Sequence, residues 1–417
     1  MKYSIVTFGC RVNQADSLHI EEELRARGGE PASSDRADVV VVNTCSVTAS
    51  ADQGARQTIR RIARENPSAR LIVTGCYATR SPREIATLPN VVRVVRNDDK
   101  DRLADFLDTT AERFGDGDGA CGARLEPGVA GRTAFTLRVQ TGCEERCSYC
   151  IIPTTRGASR SLSLESIRSE VARVTAAGFK EIALTGVHLG SYGRDLAPTT
   201  SLASLLRALA ALAGDVTFRI SSLEPMDCTT EVLDIVAGSG GRFAPHFHLP
   251  LQHASDRMLA MMCRPYTIDY YRRLVDGIVE RLPHASIGTD LIVGFPGETS
   301  DDFEENRRYL PGAPLSHLHV FPYSDRPGTA ATSMPAKVSG PLVRERASAL
   351  RAIGAELSAR FRASQRGAVR PALTLEDGTL VVTDNYLKVR IPAGLERNRR
   401  VDVRLNDDET GTVIASR

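Results

Sequence analysis

Tryptophan is missing from this 417-residue chain, and Phe, Trp and Tyr together reach only 5%. A surface that stacks many nucleobases on aromatic rings is therefore excluded, and any such contact must rest on a few rings. No run approaches 18 consecutive apolar residues, so no helix is expected to cross a bilayer. A surplus of one charge is also lacking. Lys plus Arg number 53 and Asp plus Glu 51, so the net charge of +2 gives no global argument for a nucleic-acid partner. Gly 33 and Pro 21 make 54 of 417, about 13%, which excludes collagen-like and low-complexity chains. The stretch MKYSIVTFGC lacks the apolar core and cleavage site of a secretory signal, so a cytoplasmic protein with no membrane partner is expected.

What is present is a globular composition, 42% hydrophobic and 25% charged, long enough for roughly two to three domains. Nine cysteines are an odd number. In a reducing compartment, grouped cysteines bind metal or react more often than they pair.

Residues 1–107 read as repeated strand–helix units. Apolar runs at Tyr3–Phe8, Val39–Val42 and Leu71–Val73 are separated by amphipathic stretches such as Ser17–Arg27 and Ala55–Glu65. This alternation predicts a parallel sheet with crossover helices. Each run ends in a cysteine, in TFGC (Cys10), VNTC (Cys45) and VTGC (Cys76). Side by side, the three strands would present three thiols at the carboxyl edge, where open α/β sheets bind ligands. The alternative is three buried thiols acting as small hydrophobes.

Residues 108–133 are Gly-rich and polar and read as a linker holding Cys121, which has no partner at ligand spacing. From 134 to 362 a second alternating stretch carries strand candidates Thr136–Gln140, Glu181–Thr185, Thr217–Ser221, His246–Leu251, Thr289–Val293 and Leu318–Phe321. Helical patterns such as Leu164–Ala177 and Asp269–Arg281 separate them. Six repeats fit a partial (β/α)6 barrel. Residues 366–417 change to five short β-type runs with turn signals between them, a small all-β barrel.

The sharpest motif is Cys143-Glu-Glu-Arg-Cys147-Ser-Tyr-Cys150, a C-x3-C-x2-C triplet just past the first barrel strand. Thiolates at this density suit zinc or an iron–sulfur cluster. Zinc normally takes four ligands, and the next His or Cys, His188, lies at another predicted strand end. A four-iron cube held by three thiolates keeps one iron open for a ligand.

The triplet resembles that of radical S-adenosylmethionine (SAM) enzymes. The wider set TFGCRVNQAD, VVNTCSVT, VTGCYA, QTGCEERCSYCIIPTTRG, LTGVHLGSYG, RISSLEP, LPLQ, DLIVGFPGE and HVFPYSDRPGTAA resembles the methylthiotransferases, in order and through most of the chain. LTGVHLGSYG, GCRVNQ and GCYA look most like the branch acting on N6-threonylcarbamoyladenosine at tRNA position 37. The other branches act on isopentenyladenosine in tRNA or on a ribosomal protein.

The resemblance implies two 4Fe–4S clusters, on Cys143, Cys147 and Cys150 and on Cys10, Cys45 and Cys76. It implies two molecules of SAM, one for a 5′-deoxyadenosyl radical that removes hydrogen from adenine C2 and one for the methyl group. It further implies a TRAM-like RNA-binding C-terminal module. The partners are then the anticodon stem-loop of tRNA, an external electron donor and a sulfur donor, with the chain a monomer.

Candidate SAM contacts are Gly186, Ser222, Glu224, Gln252 and Gly294. Glu298 sits one place from the usual glutamate spacing and is given no cofactor role. His253-Ala254-Ser255 stands where the family usually has Ser-Gly-Ser, and Leu162 where it has Arg. The histidines of HFH (His246, His248) and HLH (His317, His319) read as mainly structural, with the inward ones lining the cavity. Candidate RNA contacts are Tyr386, Lys388, Arg390, Arg399 and Arg400. A window from Lys337 to Arg370, with eight bases against two acids, is a further candidate for attracting phosphate.

Overall fold

Val39–Thr44 is buried along its full length. Alternate residues of a strand face opposite sides. Val40 and Val42 accordingly enter one core cluster, and Val39 and Val41 another. A strand apolar on both faces needs cover on both. Ile20 and Leu24 of helix Arg11–Ala26 cover one side, and Ala55, Ile59 and Ile62 of helix Ala49–Glu65 the other. The sheet is parallel, in the order Glu30–Pro31, Lys2–Thr7, Val39–Thr44, Arg70–Gly75, Val91–Val94. The three strands that precede the cysteines are therefore neighbours.

This computed structural model describes residues 1–106, Pro127, 133–407 and 409–416. The expected linker lies outside the described residues except for Pro127 and Thr133, and so does Cys121.

Six parallel strands follow: Phe135–Arg138, Glu181–Thr185, Thr217–Ile220, His246–His248, Ser286–Val293 and His317–Pro322. They form two three-stranded sheets, joined by the single bridges Phe218↔Phe243 and Ser222↔His248. The first and sixth strands are left as open edges, and the N-terminal unit spans the gap between them. On the first-strand side Arg138 pairs with Asp16 and, at 3.2 Å, with Asp101. On the sixth-strand side the Ala49 amide donates to Ser324 Oγ at 3.1 Å, and Arg326 pairs with Asp52 at 2.7 Å. Helix Gly340–Ser364 backs the sixth strand. A Cβ at Gly354 would sit 3.1 Å from the Leu318 side chain, so helix and strand pack closely there.

The C-terminal strands form an antiparallel sheet in the order Lys388–Arg390, Leu380–Thr383, Val369–Leu375, Arg400–Leu405, Gly411–Ser416. A bridge between Arg390 and Thr410 begins to curl it into a half-barrel around Val381, Val389, Val401 and Val403. The module sits on the amino ends of the barrel strands. Asn398 donates to the Gly178 carbonyl and Asn385 to the His284 carbonyl, both at 2.9 Å or less. No helix among the described residues is long and apolar enough to cross a membrane.

Candidate functional site: two cysteine trios and a polar barrel lumen

The C-x3-C-x2-C loop leaves the first barrel strand and is clamped by backbone bonds. The Cys143 amide donates to the Gly157 carbonyl at 3.0 Å, and the Ser148 amide to the Met262 carbonyl at 3.2 Å. Arg264 Nη1 reaches Cys147 Sγ at 3.0 Å, its second amine pairs with Glu224, and its Nε meets Tyr266 Oη at 3.1 Å. His188 faces Cys143 and Asp227, which outweigh its burial and raise it to about 9. Burial, with repulsion from Cys147 and Cys143, pushes the Cys150 thiol up to about 12.

The second trio forms at the carboxyl edge of the N-terminal sheet. Gly9 has a φ of 88°, and a Cβ there would lie 2.6 Å from Cys45 Sγ, so the TFGC turn needs glycine for both reasons. Burial pushes the Cys45 thiol up to about 11, with Cys76 and Cys10 close enough to add to the shift. Asn97 Nδ2 stands 3.7 Å from Cys76 Sγ and donates to the Thr155 carbonyl at 2.8 Å. Cys10 is the N-cap residue of helix Arg11–Ala26, with no side-chain bond in the cap.

Arg156 reaches the second trio from the loop that carries the first. It ends the short helix Ile152–Arg156 that follows the triplet, and its guanidinium contacts Cys76 and feels the charge of Cys10. It donates to Asn13 Oδ1 at 2.5 Å and to Asp16 at 3.2 Å. Its buried Nε has no partner among the described residues. Asp16 is fully buried and also holds Lys100 at 2.8 Å and Arg138. Each trio thus offers three soft donors beside one buried guanidinium. This donor set fits a group gripped by three thiolates that carries negative charge.

The lumen between the trios and the C-terminal module is polar. Glu181 grips Arg219 at 2.9 and 3.0 Å. Asp290 contacts His248 Nε2 at 3.0 Å and His319 Nδ1 at 3.1 Å, and these bonds outweigh burial to hold its carboxyl at about 2. His246 is buried, and neither ring nitrogen has a partner.

The five candidate SAM positions fare differently. Glu224 does reach the triplet, through Arg264. Gly186 is packed against Gln140, whose Oε1 would lie 2.9 Å from an added Cβ, so packing alone accounts for this glycine. Ser222 shares its hydroxyl with His248 Nδ1 at 3.2 Å. Gln252 has a φ of 70° and bridges to Leu291 through its backbone. Gly294 is pressed against Val343 and donates its amide to Glu298, which is buried in an ion pair with Arg346 at 2.9 Å. His253, the departure at LPLQ, is a buried strut. It accepts from the Ser255 amide and meets Asn306 Nδ2, both at 2.9 Å.

Among the RNA candidates, Lys388 and Arg390 are exposed on the C-terminal module, and Arg399 pairs with Glu396 at 2.6 Å. Two also contact the barrel domain. Tyr386 is 40% exposed and lies 4.6 Å from His246, with Arg219 4.8 Å from its ring. Arg400 is an inter-domain strut, paired with Asp215 at 2.8 Å and donating to the Lys180 carbonyl. The basic window is also largely consumed. Lys337, Arg346, Arg362, Arg366 and Arg370 pair with Asp325, Glu298, Glu409, Asp407 and Asp384, all outside it.

Sequence reasoning missed Arg11, Asp16, Arg156 and Arg264 as site residues. The first three lie inside quoted motifs, but nothing local shows which neighbour a guanidinium will reach.

Residues 2–96 match the family described as Uncharacterized protein family UPF0004, and residues 137–310 match the Radical SAM superfamily. Threonylcarbamoyladenosine tRNA methylthiotransferase MtaB of Aquifex aeolicus (strain VF5) is 38% identical over 94% of this chain and 96% of its own length. The protein of the same name from Bacillus subtilis (strain 168) is 35% identical over 92% and 88%. Ribosomal protein uS12 methylthiotransferase RimO of Geobacter sulfurreducens is 36% identical over 83% and 80%. The radical S-adenosylmethionine methyltransferase TsrM from Kitasatospora setae, solved with cobalamin and a 4Fe–4S cluster, superposes with a TM-score of 0.56 over 79% of this chain and 76% of that one. At 15% identity this shows a shared fold. The chain belongs to the radical SAM methylthiotransferases, MtaB branch, enzymes that work with SAM and a 4Fe–4S cluster.

Proposed function

We propose that this enzyme places a methylthio group on C2 of N6-threonylcarbamoyladenosine at tRNA position 37, with Cys143, Cys147 and Cys150 holding the cluster that binds SAM and Cys10, Cys45 and Cys76 holding a second. What supports the reading is one cysteine trio just past the first barrel strand and a second at the carboxyl edge of the N-terminal sheet, with Arg156, six residues after Cys150, reaching Cys76. Five relatives bearing the threonylcarbamoyladenosine name support the substrate. When bound, the two clusters and SAM supply one-electron C–H activation, the sulfur and the methyl group. Residues of the chain do the rest. Arg264, oriented by Glu224, places positive charge at Cys147, and Arg156, oriented by Asp16, places it at Cys10 and Cys76.

On this reading residues 1–107 carry the second cluster, 134–362 form the reaction chamber and 366–417 meet RNA through Lys388 and Arg390. The enzyme draws electrons and sulfur from external donors and works in the cytoplasm as a monomer.

Anaerobic reconstitution should give about eight irons per wild-type chain and about four in the Cys143/Cys147/Cys150 triple alanine variant. Zinc without sulfide would overturn the cluster assignment. Unchanged 2-methylthio-threonylcarbamoyladenosine in tRNA from a deletion strain, read by mass spectrometry, would overturn the substrate.

A further inference from the structure

Arg11 directly follows Cys10 and opens helix Arg11–Ala26. The helix borders the gap between the first and sixth barrel strands, and through that gap the Arg11 side chain enters the lumen. Its Nη1 lies 3.5 Å from Ser221 Oγ, at the end of the third barrel strand, and its Nη2 donates to Tyr386 Oη at 3.1 Å. One guanidinium therefore touches all three parts of the chain.

The other charges of the lumen are matched. Glu181 is bound to Arg219 and Asp290 to His248 and His319. Among the described residues no carboxylate forms an ion pair with Arg11. Among the described residues its side-chain hydrogen bonds go to two hydroxyls, and the carboxylate whose charge it feels, Glu181, is already held by Arg219 through both oxygens. Burial and the nearby Arg219 and Arg11 keep His246 neutral, and its unpartnered ring lies 4.6 Å from Tyr386. An unpaired cation beside unsatisfied imidazole nitrogens, in a part-buried chamber next to a cluster cysteine, is poised for an anionic, hydrogen-bonding guest.

The threonylcarbamoyl group is such a guest. Its threonine is joined through nitrogen, so the carboxylate and hydroxyl remain free. We propose that Arg11, with the Tyr386 hydroxyl, forms the subsite for the carboxylate of the substrate's N6 side chain and so selects this nucleoside over one with a neutral N6 substituent. The proposal rests on the substrate reading above. Arg11 is a specificity residue, and no bond to the reacting carbon passes through it.

The test pairs substrate and enzyme changes. Anticodon stem-loop RNA carrying threonylcarbamoyladenosine, or the same nucleoside as its neutral methyl ester, is given to reconstituted wild type, Arg11→Gln and Arg11→Lys, and KM and kcat are measured for each. A charge-assisted contact of this kind changes affinity roughly 10-fold or more. Wild type should therefore show a KM at least about 10-fold higher for the ester than for the acid, and Arg11→Gln should show nearly equal values. Arg11→Lys should restore part of the preference. A purely structural Arg11 predicts that Arg11→Gln weakens both substrates by one factor and keeps the preference, which would overturn the subsite. If wild type modifies neither RNA, the substrate reading falls and the subsite with it. If wild type prefers the acid and Arg11→Gln keeps that preference, only the subsite falls.

Discussion

Asp16→Asn keeps the shape of the side chain and removes the charge that holds Lys100, Arg156 and Arg138 together. Asp16 is 0% exposed, and its partners Lys100, Arg156 and Arg138 are 2%, 3% and 22% exposed. Removing one partner from a buried ion pair costs about 3–5 kcal/mol. Lys100 keeps Asn43 Oδ1 at 3.1 Å and Arg156 keeps Asn13 Oδ1, which places the cost near the lower end, about 3 kcal/mol. A domain of roughly 100 residues loses at least about 4 °C per kcal/mol, so the N-terminal transition should fall by roughly 12 °C in calorimetry at pH 7. The pH dependence follows from linkage. Burial would raise the Asp16 carboxyl, but Lys100, Arg156 and Arg138 override it and hold it well below the ordinary carboxylate range. A depressed carboxyl contributes stability that is complete above the unfolded value of about 3.9 and is lost as pH falls toward the folded value. The gap between wild type and variant should therefore be full at neutral pH and shrink below about pH 4. A transition that moves by less than about 3 °C at pH 7, or a gap that widens in acid, would refute the reasoning.

Arg264→Gln should weaken the cluster at the first trio and spare the second, with a roughly 10- to 100-fold loss in affinity for iron read by chelator competition. Equal release of all iron from variant and wild type would contradict a role at Cys147. His319 is raised above the ordinary imidazole value, chiefly by its bond to Asp290. Stability from a raised histidine is complete below the unfolded value and fades as pH climbs through the folded one. Asp290→Asn should therefore lower the His319 titration midpoint, followed by NMR, and remove that fading above about pH 6.5. An unmoved midpoint would show that Asp290 does not hold the proton.

Much of the chemistry was legible in the chain. Cysteines placed just past apolar runs 35 and 31 residues apart have one natural meeting place, because crossover connections return neighbouring parallel strands to the same edge. The triplet is legible because its three ligands lie within eight residues, a spacing that needs no tertiary information. The half-barrel was visible in turn signals and short β runs.

Charges were read less well. The window from Lys337 to Arg370 looks basic along the chain, yet Glu298, Asp325, Asp384, Asp407 and Glu409 neutralise most of it from elsewhere. Tyr386 was read as an RNA contact, and the fold adds what the chain does not show, that this 40% exposed residue also lies 4.6 Å from His246. Sequence by itself determined most of the strands, their order and the position of six thiols just past strand ends, because periodicity and local spacing encode which face is buried, and it missed the edge strands Glu30–Pro31 and Val91–Val94. The tertiary structure alone decided that Arg156, held by Asp16, reaches Cys76, that Arg400 serves the domain junction and that Arg11 reaches Ser221 and Tyr386. A side chain's electrostatic partners lie wherever the fold brings opposite charge within a few ångströms, and separation along the chain carries no record of that.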